Sequence, residues 1–210
     1  MKRSRRMTTK KQVLEEFRCR AISAAAMRAV ARKGLAKTTV DDIARAAGVA
    51  KGTLYLYFRS RDEIIEKTIG AAVDGLLEQL RLAADAAAAE PFAAALERIL
   101  AAQFAYFDEH RVFFRLYFGS GEYSEDRRLR RTRRSRLHLA LFVELIRRGR
   151  RRGELRSLDS ERAAVAITGA AREVILRRIR EKEPPPPAAD ARLLADVFGA
   201  GLAIPREKRG

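Results

Sequence analysis

The stretch from Thr38 to Phe58, TTVDDIARAAGVAKGTLYLYF, constrains the fold of this chain more than any other. It reads as two short helices, Thr39 to Ala47 and about Ala50 to Tyr57, separated by a break at Gly48. Val40, Ile43, Ala44, Ala47, Val49 and Leu54 can all face inward, and Ala44 is small enough for two helices to cross closely at a steep angle. Gly48 supplies the left-handed residue such a turn needs. Thr39 followed three residues later by Asp42 resembles a capping box with Asp in place of Glu, satisfying the free amides of a first helical turn.

The rest of the chain is helical in pattern, because Ala, Leu, Arg and Glu dominate and no segment alternates with period two for long. An all-α fold is expected. A first helix covers about Lys11 to Lys33, with Leu14, Phe17, Ala21, Ile22, Ala25, Ala26 and Ala29 on one face and Gly34 as its stop. Ser60 and Glu63 form a capping box for a long helix carrying Ile64, Ile65, Ile69, Val73, Leu76, Leu77 and Leu80. Pro91 opens a helix with Phe92, Leu96, Ile99, Leu100, Phe104 and Phe107 on its core face, and the aromatic segment HRVFFRLYFGSGEY follows. Another helix should begin near Glu125 and Asp126 and end at the arginines around 147 to 152, acid at its positive end and base at its negative end. Asp159 to Glu181 and about Ala188 to Ala203 are the last two helices, joined by the stiff connector EPPPPAAD.

Charge divides the chain. The formal net charge is +17 over 210 residues, and its distribution is uneven: +11 across residues 1 to 62, −7 across 63 to 126, and +10 across 127 to 160. A basic module followed by an acidic stretch implies attraction to a polyanion through the N-terminal part. No apolar run approaches the roughly 18 residues a membrane helix needs, and the start, MKRSRRMTTKK, lacks the apolar segment of a signal peptide. A cytoplasmic protein with no membrane partner is expected. Cys19 is the single cysteine, which excludes a disulfide within the chain.

With the second helix packed inward, the third must lie across it with its N-terminal turn projecting, the geometry that enters a DNA major groove. Lys51, Thr53 and Tyr55 are then presented to base edges and nearby phosphates, and Gly52 leaves the backbone free to approach. Tyr57 and Arg61 lie at the far edge, where phosphates would pass, while Phe58 belongs to the core. The alternative for Tyr55 and Tyr57 is a core aromatic with a half-wet hydroxyl.

The residues AISAAAMRAVARKGLAKTTVDDIARAAGVAKGTLYLYFRSRDEII resemble the tetracycline-repressor (TetR) family of bacterial transcriptional regulators, with I-A-x-x-A-G-V, G-x-x-Y-x-Y-F and the second capping box in order. The resemblance covers about the first third of the chain at motif level. It implies DNA contacts at Thr39, Lys51, Gly52, Thr53, Tyr55, Tyr57 and Arg61, within a helix-turn-helix domain of residues 1–61. Two departures stand out: Ala50 where the family usually has a capping serine, and Arg61 where a phosphate-binding lysine is usual.

The resemblance further implies that residues 62–210 form a helical ligand-binding and dimerisation domain. The helix from Asp159 and the last helix would build a four-helix bundle with a second subunit, with Val174, Leu194, Val197 and Phe198 in the interface. Phe104, Phe107, Phe114, Tyr117 and Phe118, with His110, Arg115 and His138 as polar contacts, are the pocket candidates for a small apolar or amphipathic effector; an ordinary aromatic core is the other reading. For an anionic effector Arg115 is the expected partner, unless it pairs with Asp108 or Glu109. His110 and His138 lack ligating company at metal spacing, so no metal and no cofactor are expected. No phosphate loop, serine elbow or isolated carboxylate pair points to an enzyme. The expected function is a ligand-responsive repressor binding a palindromic operator as a dimer. The rivals are a protein that coats nucleic acid without sequence preference, driven by net charge, and a membrane-surface role for RRLRRTRRSR.

Overall fold

The computed structural model describes residues 10–119 and 132–204. Among them the chain is helical: α1 (Lys10–Lys33), α2 (Val40–Ala47), α3 (Lys51–Tyr55), α4 (Arg61–Ala86), α5 (Phe92–Glu109), α6 (Arg111–Gly119), α7 (Thr132–Arg151), α8 (Ser160–Arg180) and α9 (Pro187–Leu202). One isolated antiparallel bridge joins Leu155 to Ala203. The expected helix start near Glu125 and Asp126 lies outside the described residues, as does most of RRLRRTRRSR. Two compact units emerge, Met1–Val73 and Asp74–Gly210, with the division falling inside α4.

In the N-terminal unit, α1 and α2 pack together and α3 packs on α2. Their shared core is Ile22, Ala26, Ala29, Ile43, Ala44, Leu54, Phe58 and Ile64. The sequence pattern puts Leu14 and Phe17 on the same core face of α1; the structure leaves both exposed, Phe17 at 68%. A 24-residue helix is about 36 Å long, whereas α2 has only 8 residues. The buried positions of α1 therefore begin at Ile22.

The eight-residue α2 is held at both ends. At its start the Asp42 amide donates to Thr39 Oγ1 (3.2 Å) and the Thr39 amide to Asp42 Oδ2 (3.0 Å), a complete capping box. Lys33, the last residue of α1, donates to Asp42 Oδ1 at 2.5 Å. At its end Gly48 adopts φ 68°, where a side chain would be strained, and the Val49 amide reaches back to the Ala44 carbonyl at 3.1 Å. Helix α3 starts at Ala50 with no side-chain cap. For α4, Ser60 Oγ accepts from the Glu63 amide at 3.1 Å, while the Glu63 carboxylate accepts from Arg59 rather than from the cap itself.

In the C-terminal unit α5 is the hub, packing on α6, α7, α8 and most extensively α9. Its inward face is Phe92, Ala95, Leu96, Ile99, Leu100, Gln103, Phe104 and Phe107. The guanidinium buried here is that of Arg178 on α8, 1% exposed. It grips Asp108 with two N–H groups (3.3 and 2.5 Å), pairs with Asp190, and donates to the Pro185 carbonyl at 2.8 Å. Its carbon stands 5.8 Å from the Phe104 ring centre. One side chain thus ties α5, α8, the proline connector and α9 together.

Candidate nucleic-acid interface

Leu54 and Phe58, four residues apart, are buried and fix which side of the third helical segment faces the core. Tyr55 is consequently turned outward at 50% exposure. Leu56 lies about 200° around the helix from Leu54 and is 79% exposed. The reading of the sequence passed over Leu56, although the spacing of Leu54 and Phe58 already placed it opposite the core. A bare leucine beside an exposed tyrosine suits contact with a thymine methyl group.

Lys51, also exposed, is held by Asp41 Oδ2 at 3.0 Å, and that carboxylate raises the lysine pKa. Both partners are half in water, so the pair is weak enough to yield to a phosphate. Thr53 is half-buried, and a Cβ on Gly52 would meet nothing within 4 Å, so the backbone there is open. Thr39 is occupied by its capping box with Asp42. Lys33 first, then the Thr39 amide and hydroxyl, hold the Asp42 carboxyl well below the usual carboxylate range.

Two expected phosphate contacts have structural partners. Tyr57 is half-buried, and its hydroxyl accepts from Arg18 Nη1 at 2.8 Å, a link from α1 to the end of the third segment. Arg61 donates Nε–H to the Thr38 carbonyl at 2.7 Å, another N–H to the Leu35 carbonyl, and lies 3.2 Å from Asp62. The guanidinium of Arg61 thereby fastens the loop between α1 and α2 to the start of α4. Arg18 was not foreseen; its partner lies 39 residues away.

The proposed effector residues divide into groups. The rings of Phe107 and Phe114 are tilted at 44° with centres 4.5 Å apart, and the His110 ring centre lies 4.5 Å from that of Tyr106. Phe104 is fully buried against Arg178. His138 on α7 has Phe142 as its ring neighbour at 5.2 Å. Arg115 is exposed on α6, and Asp108, one of its two expected partners, is taken by Arg178. The side chains of Tyr117 and Phe118 lie outside the described residues. Two residues absent from the sequence reading complete the picture. Tyr106 reaches over Gly75, where a Cβ would stand 2.7 Å from its hydroxyl, and burial pushes its pKa up to about 12. Gln103 is the one polar residue on the inward face of α5, a signal legible in ILAAQFAYF. Among the described residues, Gln103 Oε1 and His138 Nε2 are the buried side-chain polar atoms without a hydrogen-bond partner. Burial pushes His138 down to about 4. Of the residues expected in the dimer interface, Val197 is exposed and Val174, Leu194 and Phe198 are half-buried; Leu193 on α9 and Val165 on α8 are exposed as well.

Comparison with known proteins gives a consistent result. A family model described as "Bacterial regulatory proteins, tetR family" matches residues 22–68. The regulator TtgR of Pseudomonas putida is 31% identical over 170 residues, 75% of this chain and 77% of that protein. Matches to other curated regulators span less, 30% and 29% of the relatives' own length for two from Bacillus subtilis. Among solved structures, the regulator PfmR of Thermus thermophilus aligns with TM-score 0.67 at 27% identity, covering 88% of this chain and 99% of that one. FadR of Bacillus subtilis, solved in complex with stearoyl-CoA, aligns with TM-score 0.73 at 20% identity, covering 87% and 98%.

Proposed function

Since this chain belongs to the tetR family of bacterial regulatory proteins, we propose that it is a DNA-binding transcriptional regulator acting as a homodimer on a near-palindromic operator. The observation that carries this reading is the outward surface of α3 and of Leu56 directly after it, where Lys51, Tyr55 and Leu56 stand clear of a core closed by Leu54 and Phe58. Residues 1–61 serve as the DNA-binding part and residues 62–210 as the part that dimerises and takes an effector. In the dimer, Val174, Leu194, Val197 and Phe198 are covered by the second subunit, which removes the exposed apolar surface of α8 and α9 from water. Two recognition helices then sit about one helical turn, roughly 35 Å, apart.

Within this role Lys51 and Thr53 meet phosphates and base edges, the open backbone at Gly52 admits close approach, and Tyr55 reads the groove. Thr39 combines its cap with a phosphate contact, and Tyr57 and Arg61 line the outer edge. The deciding experiment is Tyr55→Ala. Specific operator binding is expected to fall at least tenfold, with the melting temperature unchanged within about 2 °C; a sharp fall in melting temperature would assign Tyr55 to the core instead.

An apolar or amphipathic effector is supported by a separate observation, the unpartnered Gln103 Oε1 and His138 Nε2 in a unit rich in aromatic side chains. A ligand group that pairs with either atom adds a hydrogen bond at a buried polar position. Helix α4 carries Asp74, paired with Arg134 at 2.7 Å, and Gly75 under Tyr106, and is continuous with the start at Arg61. A ligand that moves Tyr106 or α7 can therefore bias α4 and with it operator affinity. Fatty acyl chains are the first compounds to screen by thermal shift and DNA release, and FadR's stearoyl-CoA is the reason for that order.

A further inference from the structure

The C-terminal end of α7 and the turn after it form a cleft unrelated to either surface above. Its volume is about 410 Å³, and Arg147, Arg150, Arg151, Leu155 and Ser157 line it. The three arginines are spaced i, i+3 and i+4, which puts them on one face of the helix. Gly153, at φ 71°, reverses the chain directly after α7. The Glu154 amide returns to the Gly149 carbonyl at 3.0 Å, and Leu155 is buried directly over Gly149, where a Cβ would stand 3.0 Å from its Cδ1. The Arg156 amide then donates to the Leu202 carbonyl at 3.0 Å. The backbone on this side of the cleft is thus fastened to α7 at one point and to the end of α9 at another.

We infer that this cleft binds a small molecule carrying two or more phosphate groups. Carboxylates are present in the same stretch, but most are committed elsewhere. Glu154 accepts from the Phe92 amide at 2.5 Å, and Asp159 accepts from the Glu161 and Arg162 amides at 2.9 and 3.2 Å. Glu144 pairs with Arg151 at 2.7 Å. Among the described residues no carboxylate stands within ion-pair reach of Arg147 or Arg150, and Arg150 makes only a long contact with Ser160 Oγ, 3.4 Å. Arg152 next to them shows how an arginine here behaves when it is structural: it donates to the carbonyls of Ala88 and Glu90 at 2.6 and 2.7 Å.

Glu144 compensates Arg151, and the negative end of the helix dipole offsets about half a charge more, which leaves Arg147 and Arg150 with more than one positive charge unmatched. Holding these two together in the same cleft is favourable once a multiply charged anion is present, and planar guanidinium groups match phosphate oxygens two at a time. The volume lies at the small end of the range for ligand sites, about 300 to 1,000 Å³, which suits a phosphorylated metabolite. Ser157 adds a hydroxyl and Leu155 an apolar floor for whatever the phosphates are attached to.

The test is calorimetric titration of the full-length protein with pyrophosphate, orthophosphate and ADP at about 0.15 M KCl. One pyrophosphate per chain is expected, at least tenfold tighter than orthophosphate. Arg147→Ala combined with Arg150→Ala should weaken it at least tenfold while leaving the melting temperature unchanged, because both side chains are exposed. Equal affinity for pyrophosphate and ADP would identify phosphate groups alone as the ligand; tighter ADP binding that Leu155→Ala weakens would add the attached group. The inference is overturned by no binding, by several weak sites per chain that the double variant leaves intact, or by a double variant that loses affinity for random duplex DNA but keeps its affinity for pyrophosphate.

Discussion

Asp42 in the N-terminal unit and Arg178 in the C-terminal unit are each the polar centre of their region, and they work over different distances. Asp42 binds Thr39 three residues away and Lys33 nine residues away, with partners that remain partly in water. Arg178, 1% exposed, binds Asp108 across 70 residues and Asp190 across 12. The first arrangement fastens short helices from within their own neighbourhood and leaves one face of α3 free for a partner. The second makes the packing of α5, α8 and α9 depend on a single desolvated group whose loss strands two carboxylates. The second helix of the DNA-binding unit is thus capped by a local fastening, whereas the packing of the larger unit turns on a long-range one.

The sharpest way to break this contrast is Arg178→Ala. Leaving Asp108 and Asp190 without their partner should cost about 3 to 5 kcal/mol, read as a drop in the urea midpoint of the C-terminal unit; a loss under about 1 kcal/mol would demote Arg178 from that central place. His138 gives the next effect. Its folded pKa, about 4, is below the ordinary value near 6.5. The unfolded chain therefore binds the proton first as pH falls, and stability present above about 6.5 is lost on the way down to about 4, by up to ~1.4 kcal/mol per pH unit. Denaturation midpoints measured across that window should slope for the native protein and flatten for His138→Phe.

Thr39→Ala removes the cap of α2 and should cost about 1 kcal/mol, measurable in the melting of the N-terminal unit, with operator affinity falling further through the misplaced helix. Lys51→Ala is the smallest. Its exposed pair with Asp41 should leave stability unchanged, while the slope of log affinity against log salt falls by about one counterion per subunit. A Lys51 variant that melts early would show that the DNA face is also a fastening.

What could be read from the sequence follows the same division. Capping by Thr39 and Asp42, the left-handed turn at Gly48 and the burial of Phe58 are consequences of residues within four positions of each other, so the pattern carries them. Tyr57 with Arg18, and Arg61 with the carbonyls of Leu35 and Thr38, span 23 to 39 residues and depend on how α1, α3 and α4 meet. Periodicity could place Leu14 and Phe17 on the apolar stripe of α1 but not reveal that α2 is too short to cover them. In the larger unit nothing local distinguishes Arg178 from Arg177, which is exposed and pairs with Glu181 one turn on. Only the arrival of Asp108 and Asp190 from two other helices decides which arginine is buried.

Whether the outward face of α3 reads a DNA sequence is decided by selecting bound fragments from random duplex DNA with the full-length protein at about 0.15 M salt. Enrichment of a two-part near-palindrome with half-sites about one helical turn or slightly more apart is expected, an enrichment that Tyr55→Ala abolishes. Recovery of unenriched DNA, with affinity set by salt alone and unchanged by Tyr55→Ala, would contradict sequence reading by α3 and leave a protein that coats nucleic acid through its net positive charge.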